Sequence, residues 1–168
     1  MSSLQISSMP QELYGYLQRL AITKNKSLET QVITLLYQAK QYNEKREQLD
    51  RTANLEKLIR QVYEYLHLKD DWDGYGGIAP TQKTVDNAIQ WLKTMPQLIP
   101  FPEPMVAGSG VIGFYWEDKG IYAEIGFTGD DSFWCYAEDS QGNEVGEDVI
   151  RISDELPPEL LKMLVSLR

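Results

Sequence analysis

The sequence predicts an α+β protein that begins with one strand and two helices and continues with helices, an antiparallel β-meander and a C-terminal helix. Three observations support this class. Leu4 and Ile6 alternate with polar residues, which is the pattern of a half-buried strand. Residues 11–42 and 52–66 carry apolar side chains at helical spacing, and short β-rich runs follow residue 105. Helices that precede a series of strands are typical of an α+β domain.

The N-terminal strand has no partner nearby in the sequence, because two helical patterns follow it. Pro10 and Glu12 favour the start of the first helix. Ser27, with Glu29 in the next turn, predicts the start of the second. A strand and two helices bury too little surface to be stable alone, so we expect this segment to pair with a second copy of the chain.

The stretch LQISSMPQEL followed by NKSLETQV resembles the ribbon-helix-helix fold of the Arc/MetJ superfamily, and its antitoxin branch in particular. The resemblance covers residues 2 to about 42. In that family, two chains pair their strands into an antiparallel ribbon that lies in the major groove of DNA, while the start of the second helix contacts phosphate. The resemblance therefore implies an intertwined homodimer that binds a DNA operator.

Carried onto this sequence, the resemblance assigns three sets of residues. The outward strand face would contact bases, and Gln5 is its most informative member because a glutamine can pair bidentately with adenine. The basic turn and the N-terminus of the second helix would hold phosphate. The assigned residues are Ser3, Gln5 and Ser7 for the bases, Lys24, Lys26, Ser27 and Leu28 for phosphate, and Leu4, Ile6, Leu17, Leu20, Val32 and Leu36 for the dimer core.

The charges are distributed unevenly along the chain. The formal net charge is -9, yet residues 1–42 contain four basic and two acidic side chains, a net +2, which leaves -11 for the remainder. An acidic protein repels nucleic acid, but charges farther from the duplex than the Debye length of about 8 Å are largely screened. We predict three segments: residues 1–44 as a dimerisation and DNA-binding domain, 45–68 as a connecting helix, and 69–168 as an acidic α+β domain.

The glycine-rich stretch DDWDGYGGIAP opens the last segment. Aligning Gly74 with the invariant glycine of an EF-hand loop puts Lys69 and Pro80 where the first and last carboxylates must be, so a calcium site is disfavoured. We expect a structural turn in which Trp72 is buried and Asp73 accepts hydrogen bonds from backbone N–H groups. With the helix, proline-rich bend and strands that follow, this turn resembles a module of bacterial proteins of unknown function, which implies a folded domain and no particular activity.

Aromatic residues are concentrated in the predicted strands, and eight of the eighteen lie between Phe114 and Tyr136. Two interpretations are open. These side chains fill the core and pair across strands, or some of them lie on the outer sheet face, where they favour a protein partner. The candidates for a partner surface are Trp116, Tyr122, Trp134 and Tyr136.

The sequence offers little for catalysis. His67, the only histidine, ends an apolar helical stripe, and Cys135 lies in a predicted strand, where a buried thiol is unreactive. No pair of carboxylates stands out by its spacing, and the GYGG stretch follows a helix rather than a strand. We therefore predict that the protein is not an enzyme and uses no metal or other cofactor. With one cysteine and no long apolar run, we expect a cytoplasmic protein without a membrane span.

These observations lead to two hypotheses for function. The first is a bacterial homodimeric transcriptional regulator, such as the antitoxin of a toxin-antitoxin pair, whose acidic domain binds a ligand or a protein such as a basic toxin. The second is an interaction or scaffold protein that binds no DNA and uses the ribbon only to dimerise.

Overall fold

The computed structural model describes residues 5, 6 and 8–168. The chain divides into two compact units, Met1–Arg51 and Thr52–Arg168. The boundary between them falls within one long helix.

The first unit contains helix α1, Gln11–Thr23, and most of helix α2, Leu28–Glu64. In the turn between them Asn25 has a φ of 51°, a left-handed conformation that asparagine tolerates better than most residues. The Ser27 hydroxyl oxygen accepts a 3.0 Å hydrogen bond from the N–H of Thr30 and so caps α2. The predicted start of the second helix is therefore confirmed.

The predicted ribbon-helix-helix fold is wrong, because the first regular element of the described chain is a helix. Gln5, Ile6 and residues 8–10 belong to no strand, and Ile6 is 53% exposed. Two alternating apolar residues are a weak strand signal, and this segment has no partner strand within the described chain. The fold class is α+β with helices first, followed by an antiparallel sheet and a C-terminal helix. The remaining residues assigned to the ribbon lie outside the described chain: Ser3, Leu4 and Ser7.

Helix α2 is longer than the sequence predicted. We expected the first domain to end at residue 44 and a separate connecting helix to follow over residues 45–68, whereas α2 is continuous over 37 residues. Residues 42–52, at this boundary, are rich in Glu, Lys, Arg and Gln, which are strong helix formers even without an apolar stripe. Lys40 pairs with Glu44 at 3.5 Å, and Arg46 with Asp50 at 3.8 Å. None of the helices in the described chain, α2 included, combines the length and apolar character that crossing a membrane requires.

The second unit is built around one five-stranded antiparallel sheet. A single 3-10 turn, Tyr65–His67, follows α2, and helix α3, Gln82–Thr94, precedes the strands. The strands follow one another in sequence order, so the predicted meander is present. The strands and the last helix are β1 Glu103–Val106, β2 Ile112–Asp118, β3 Ile121–Phe127, β4 Ser132–Glu138, β5 Glu144–Arg151 and α4 Pro158–Ser166.

The core of the second unit lies on one face of this sheet. Buried side chains of α3, α4 and the end of α2 form a single cluster with the inward residues of β2, β3 and β4. Trp91 on α3 lies at its centre, with ring centroids 5.7 Å from Phe114, 6.1 Å from Phe127 and 6.4 Å from Phe133. Because side chains alternate along a strand, the packing of this face directs the intervening residues to the opposite face.

Candidate functional site

The sheet face opposite the core carries an ordered array of acidic and aromatic side chains. The antiparallel register places these residues in rows that run across the strands. We call this surface the acid-tyrosine face. Its residues are Glu117, Tyr122, Glu138 and Glu144 in one row, Glu103, Tyr115, Glu124 and Tyr136 in the next, and Met105, Gly113, Gly126 and Trp134 in the third.

Two tyrosines and two glutamates form a square at the centre of the acid-tyrosine face. Tyr122 on β3 is opposite Glu138 on β4, and Glu124 on β3 is opposite Tyr136 on β4. Each tyrosine also bonds along its own strand: Tyr122 Oη donates to Glu124 Oε2 at 2.8 Å, and Tyr136 Oη donates to Glu138 Oε2 at 3.1 Å. Tyrosine and glutamate therefore alternate around the square, and these bonds leave Oε1 of each carboxylate for another donor.

Further acidic residues surround the square. Glu117 is opposite Tyr122, and Glu144 is opposite Glu138. The three rows contain five glutamates and neither lysine nor arginine. The nearby Lys119, in the turn between β2 and β3, is engaged elsewhere, because its ammonium donates to the carbonyls of Ser166, Leu167 and Arg168 at 3.0 to 3.3 Å. The negative charge of the face is thus not neutralised by a cation within the rows.

The acidic surroundings change the ionisation of the tyrosines. Burial, the hydrogen bond to Glu124 and the charges of Glu124 and Glu117 raise the pKa of Tyr122 to about 12. Burial and the hydrogen bond to Glu138 also raise the pKa of Tyr136 above its usual value. Both hydroxyls therefore stay protonated at neutral pH and act as donors to the carboxylates.

The third row is apolar, and the side chains of Trp134 and Met105 cover its two glycines. A side chain at Gly126 would overlap the indole ring of Trp134, which means that the ring lies across position 126. A Cβ atom at the neighbouring Gly113 would lie 3.0 Å from the Met105 side chain. An aromatic ring that covers a glycine on the adjacent strand compensates for the missing side chain and shields the backbone. Trp134 and Met105 thus border the charged rows with apolar surface.

A depression of about 370 Å³ lies where the acid-tyrosine face meets the turn between β2 and β3. Glu117, Tyr122, Glu138 and Asp139 contribute to its walls, together with residues 118–121. It is open to solvent, unlike the enclosed apolar clefts that hold most small ligands.

The structure separates the four aromatic residues that the sequence proposed as a partner surface. Tyr122, Trp134 and Tyr136 lie on the acid-tyrosine face, where Tyr122 is 37% exposed. Trp116 lies on the core face, is 4% exposed, and donates from Nε1 to the carbonyl of Pro100 at 3.0 Å. Sequence reasoning also considered Tyr115 for the outer face but missed the glutamates, although the alternation that places Tyr122 outward applies to them as well.

The residues assigned to DNA contact are not assembled around a ribbon in the described chain. Lys24 and Lys26 are exposed, Lys26 Nζ lies 3.4 Å from Thr34 Oγ1, and Gln5 is exposed outside any strand. Ser27 caps α2, and Leu28 is half-buried. The described residues assigned to the dimer core differ in burial: Leu17 is buried, Leu20 and Val32 are half-buried, and Leu36 and Ile6 are exposed.

The carboxylates of the WDG turn hold the turn together. Asp73 Oδ1 accepts hydrogen bonds from the N–H groups of Tyr75 and Gly77, both at 2.9 Å, and these bonds hold the pKa of Asp73 below its usual value. Asp71 and Asp70 accept from Gly76 and Ala79 at 2.8 and 3.0 Å. Trp72 is half-buried rather than buried. Among residues 5, 6 and 8–168, no three or more His, Cys, Asp or Glu side chains form a group that could hold a metal ion.

Neither of the two side chains considered for catalysis, Cys135 and His67, has the surroundings of a catalytic group. Cys135 is 3% exposed, and burial raises the pKa of its thiol, which disfavours the nucleophilic thiolate. The His67 side chain is 78% exposed, with Nδ1 3.4 Å from Glu64 Oε2. Neither belongs to the acid-tyrosine face.

Comparison with known proteins adds no further assignment: no family model matches the chain, and neither the curated proteins nor the solved structures gave a significant match. The resemblance to ribbon-helix-helix proteins therefore has no support from a family match.

Proposed function

We propose that the second unit is a protein-interaction module whose acid-tyrosine face binds a basic segment of another protein. The observation that carries this proposal is the square of Tyr122, Glu124, Tyr136 and Glu138, in which tyrosine rings and carboxylates alternate. Such an arrangement offers a cation both of the features that stabilise it, a negative charge and an aromatic ring.

Lysine and arginine side chains suit this surface best. A charged N–H donor that bonds to a carboxylate makes a shorter and stronger hydrogen bond than a neutral donor does. The face of a tyrosine ring adds a cation-π attraction of about 0.5 to 2 kcal/mol, depending on desolvation. Arginine and aromatic residues are also enriched in protein interfaces. A partner with several basic side chains would therefore meet complementary chemistry in each of the two acidic rows.

The spacing of the square suits a partner in extended conformation. Diagonal neighbours on two antiparallel strands, such as Glu124 and Glu138, are about 7 to 8 Å apart. Alternate residues of an extended peptide are separated by a similar distance, about 6.5 to 7 Å. A segment with basic residues at alternate positions could thus reach both carboxylates. A toxin with a basic surface is one partner of this chemistry, and a basic segment of a larger assembly is another.

Nucleic acid is a poorer partner for this surface. The second unit carries most of the acidic residues of the chain, and a phosphate backbone would be repelled by the five glutamates of the face. We do not propose DNA binding through a ribbon, because residues 5, 6 and 8–10, which belong to the segment expected to form it, are in no strand.

A cytoplasmic location stays a prediction that depends on the single cysteine, Cys135.

The test is the fluorescence anisotropy of a labelled peptide of alternating arginine and serine, titrated with the full-length protein over a salt series. We expect saturable binding that weakens with salt, and a loss of tenfold or more in the double variant Glu124→Gln and Glu138→Gln. Glu56→Gln with Glu159→Gln makes the same change in net charge at exposed positions outside the face and serves as the matched control. Equal losses in both double variants, or no binding at low salt, would refute the proposal.

A further inference from the structure

Helix α2 carries a heptad pattern that the packing of the first unit leaves partly uncovered. Leu28, Leu35, Tyr42 and Leu49 follow one another at intervals of seven residues, as residues at the d position of a coiled coil do. Val32, Ala39 and Arg46 lie at the intervening a positions. We call these seven residues the α2 seam.

The exposure of the α2 seam changes along its length. Leu28, Val32 and Leu35 are half-buried, whereas Tyr42 is 67% and Leu49 is 62% exposed. Helix α1 is too short to cover the whole seam, because its 13 residues extend roughly 20 Å and residues 28–49 extend roughly 32 Å at 1.5 Å per residue. The second half of the seam thus presents large apolar side chains to solvent.

The first unit also has little core of its own. Among its described residues, those classed as buried are Leu17, Ala21 and Gln31, and the side-chain oxygen of Gln31 has no hydrogen-bond partner within the described chain. A unit of about fifty residues with so few buried apolar side chains needs an additional source of stability, and association is one of the usual sources.

We propose that the α2 seam pairs with the same seam of a second copy of this chain, as a parallel, in-register two-stranded coiled coil. The charges beside the seam favour this partner. Residues 40–50 contain three basic and three acidic side chains, so this stretch of α2 has no net charge. It therefore suits another neutral helix better than a strongly charged partner. This proposal is independent of the function proposed for the acid-tyrosine face.

The register of the charges selects the parallel arrangement. In a parallel pair, a residue at position g lies beside the residue five positions later on the other helix, at position e. Lys45 occupies g and Asp50 occupies e, so each copy of Lys45 meets Asp50 of the second copy, next to the exposed Arg46–Asp50 pair within the helix, and the contact forms twice. In an antiparallel pair e positions lie beside e positions, and this match is lost. Arg46, the one charged residue at an a position, adds a polar layer that fixes register at a cost in stability.

Sedimentation equilibrium of the full-length protein tests the assembly. We expect a dimer at micromolar concentration, and a monomer with unchanged helix content for the double variant Tyr42→Lys and Leu49→Lys. Tyr37→Lys is the matched control, because Tyr37 is 64% exposed on the same helix but lies outside the seam, and it should leave the dimer intact. A monomeric wild-type protein, or a dimer that survives the double variant, would overturn the proposal.

Disulfide trapping tests the orientation of the two helices. In a Cys135→Ala background, Tyr42→Cys and Leu49→Cys, in the exposed half of the seam, are introduced one at a time and each variant is oxidised. The parallel, in-register pair predicts a covalent dimer from both variants, because equivalent residues of the two helices face each other at both positions. Trapping of one position and not the other would contradict this arrangement, since an antiparallel pair brings equivalent residues together only at its symmetry axis.

Discussion

Tyr122 on β3 lies directly opposite Glu138 on β4, while its hydroxyl donates a 2.8 Å hydrogen bond to Glu124 two residues along its own strand. Tyr122 therefore lies beside a carboxylate on each of the two strands and is hydrogen-bonded to the one on its own strand. Burial and the neighbouring negative charges act in the same direction, because each of them disfavours the phenolate. Glu117, which the register places opposite Tyr122 on β2, is one of these charges, so the pairing of the strands contributes to the pKa of Tyr122.

We expect the pKa of Tyr122 to be about 12 in the folded protein, compared with the ordinary tyrosine value of 10.0. The difference between the ultraviolet phenolate titrations of wild type and Tyr122→Phe isolates this residue. Glu124→Gln removes one negative neighbour, so the pKa of Tyr122 should fall toward 10.0 in that variant. A Tyr122 pKa that Glu124→Gln leaves unchanged would mean that the hydrogen bond and charge of Glu124 do not determine it.

The same shift predicts a dependence of stability on pH. The unfolded chain loses the Tyr122 proton first, because the pKa of this hydroxyl is lower there than in the folded state. Its contribution to the free energy of unfolding is therefore complete below pH 10.0 and is lost as the pH rises toward about 12. Urea unfolding between these pH values should show a smaller decline for Tyr122→Phe than for wild type, provided that both remain two-state.

Gly126 makes room for Trp134, so we expect Gly126→Ala to destabilise the protein. The added methyl group would overlap the indole ring, and relieving such an overlap typically costs about 1 to 3 kcal/mol. Gly113→Ala is the matched control on the adjacent strand, where the nearest atoms belong to the flexible Met105 side chain at 3.0 Å. Urea unfolding should show the larger loss at position 126, and equal losses would show that Trp134 does not lie across Gly126.

Asn87 anchors helix α3 to the turn between β3 and β4. It is 1% exposed, accepts a 3.0 Å hydrogen bond from the N–H of Asp131, and donates one of 3.0 Å to the Asp131 carboxylate. Asn87→Ala leaves that N–H without its acceptor, and we expect a loss of about 1 to 3 kcal/mol in the free energy of unfolding. The exposed neighbour Asp86, changed to Ala, should stay within about 0.5 kcal/mol of wild type.

Sequence patterns predicted the second unit well because its signals are local and strong. The period of two in β2, β3 and β4 specifies each of these strands without long-range information. In the first unit the signal was two alternating residues, Leu4 and Ile6, which predicted a strand that the resemblance then placed in a ribbon. The polar segment after residue 42 has no apolar stripe, and helix propensity alone continues α2 through it.

The candidate site was predictable only in part, for a physical reason. Alternation identifies which side chains share a face within one strand, and Tyr122, Trp134 and Tyr136 do lie on the outer sheet face, as one of the two interpretations expected. The square depends on the pairing of Tyr122 with Glu138 and of Glu124 with Tyr136, which requires the register between strands. Trp116 was misplaced because its outward or inward direction depends on which face of β2 meets the helices.

The most direct test of the account maps the bound peptide on the protein by NMR. The full-length, isotope-labelled protein is titrated with the alternating arginine and serine peptide, and perturbed signals are assigned to residues. We expect the largest changes at Tyr115, Tyr122, Glu124, Tyr136 and the Trp134 indole N–H, with little change in α3 or α4. Perturbations spread evenly over the acidic loops, with the acid-tyrosine face unaffected, would contradict the proposal that this face is the binding surface.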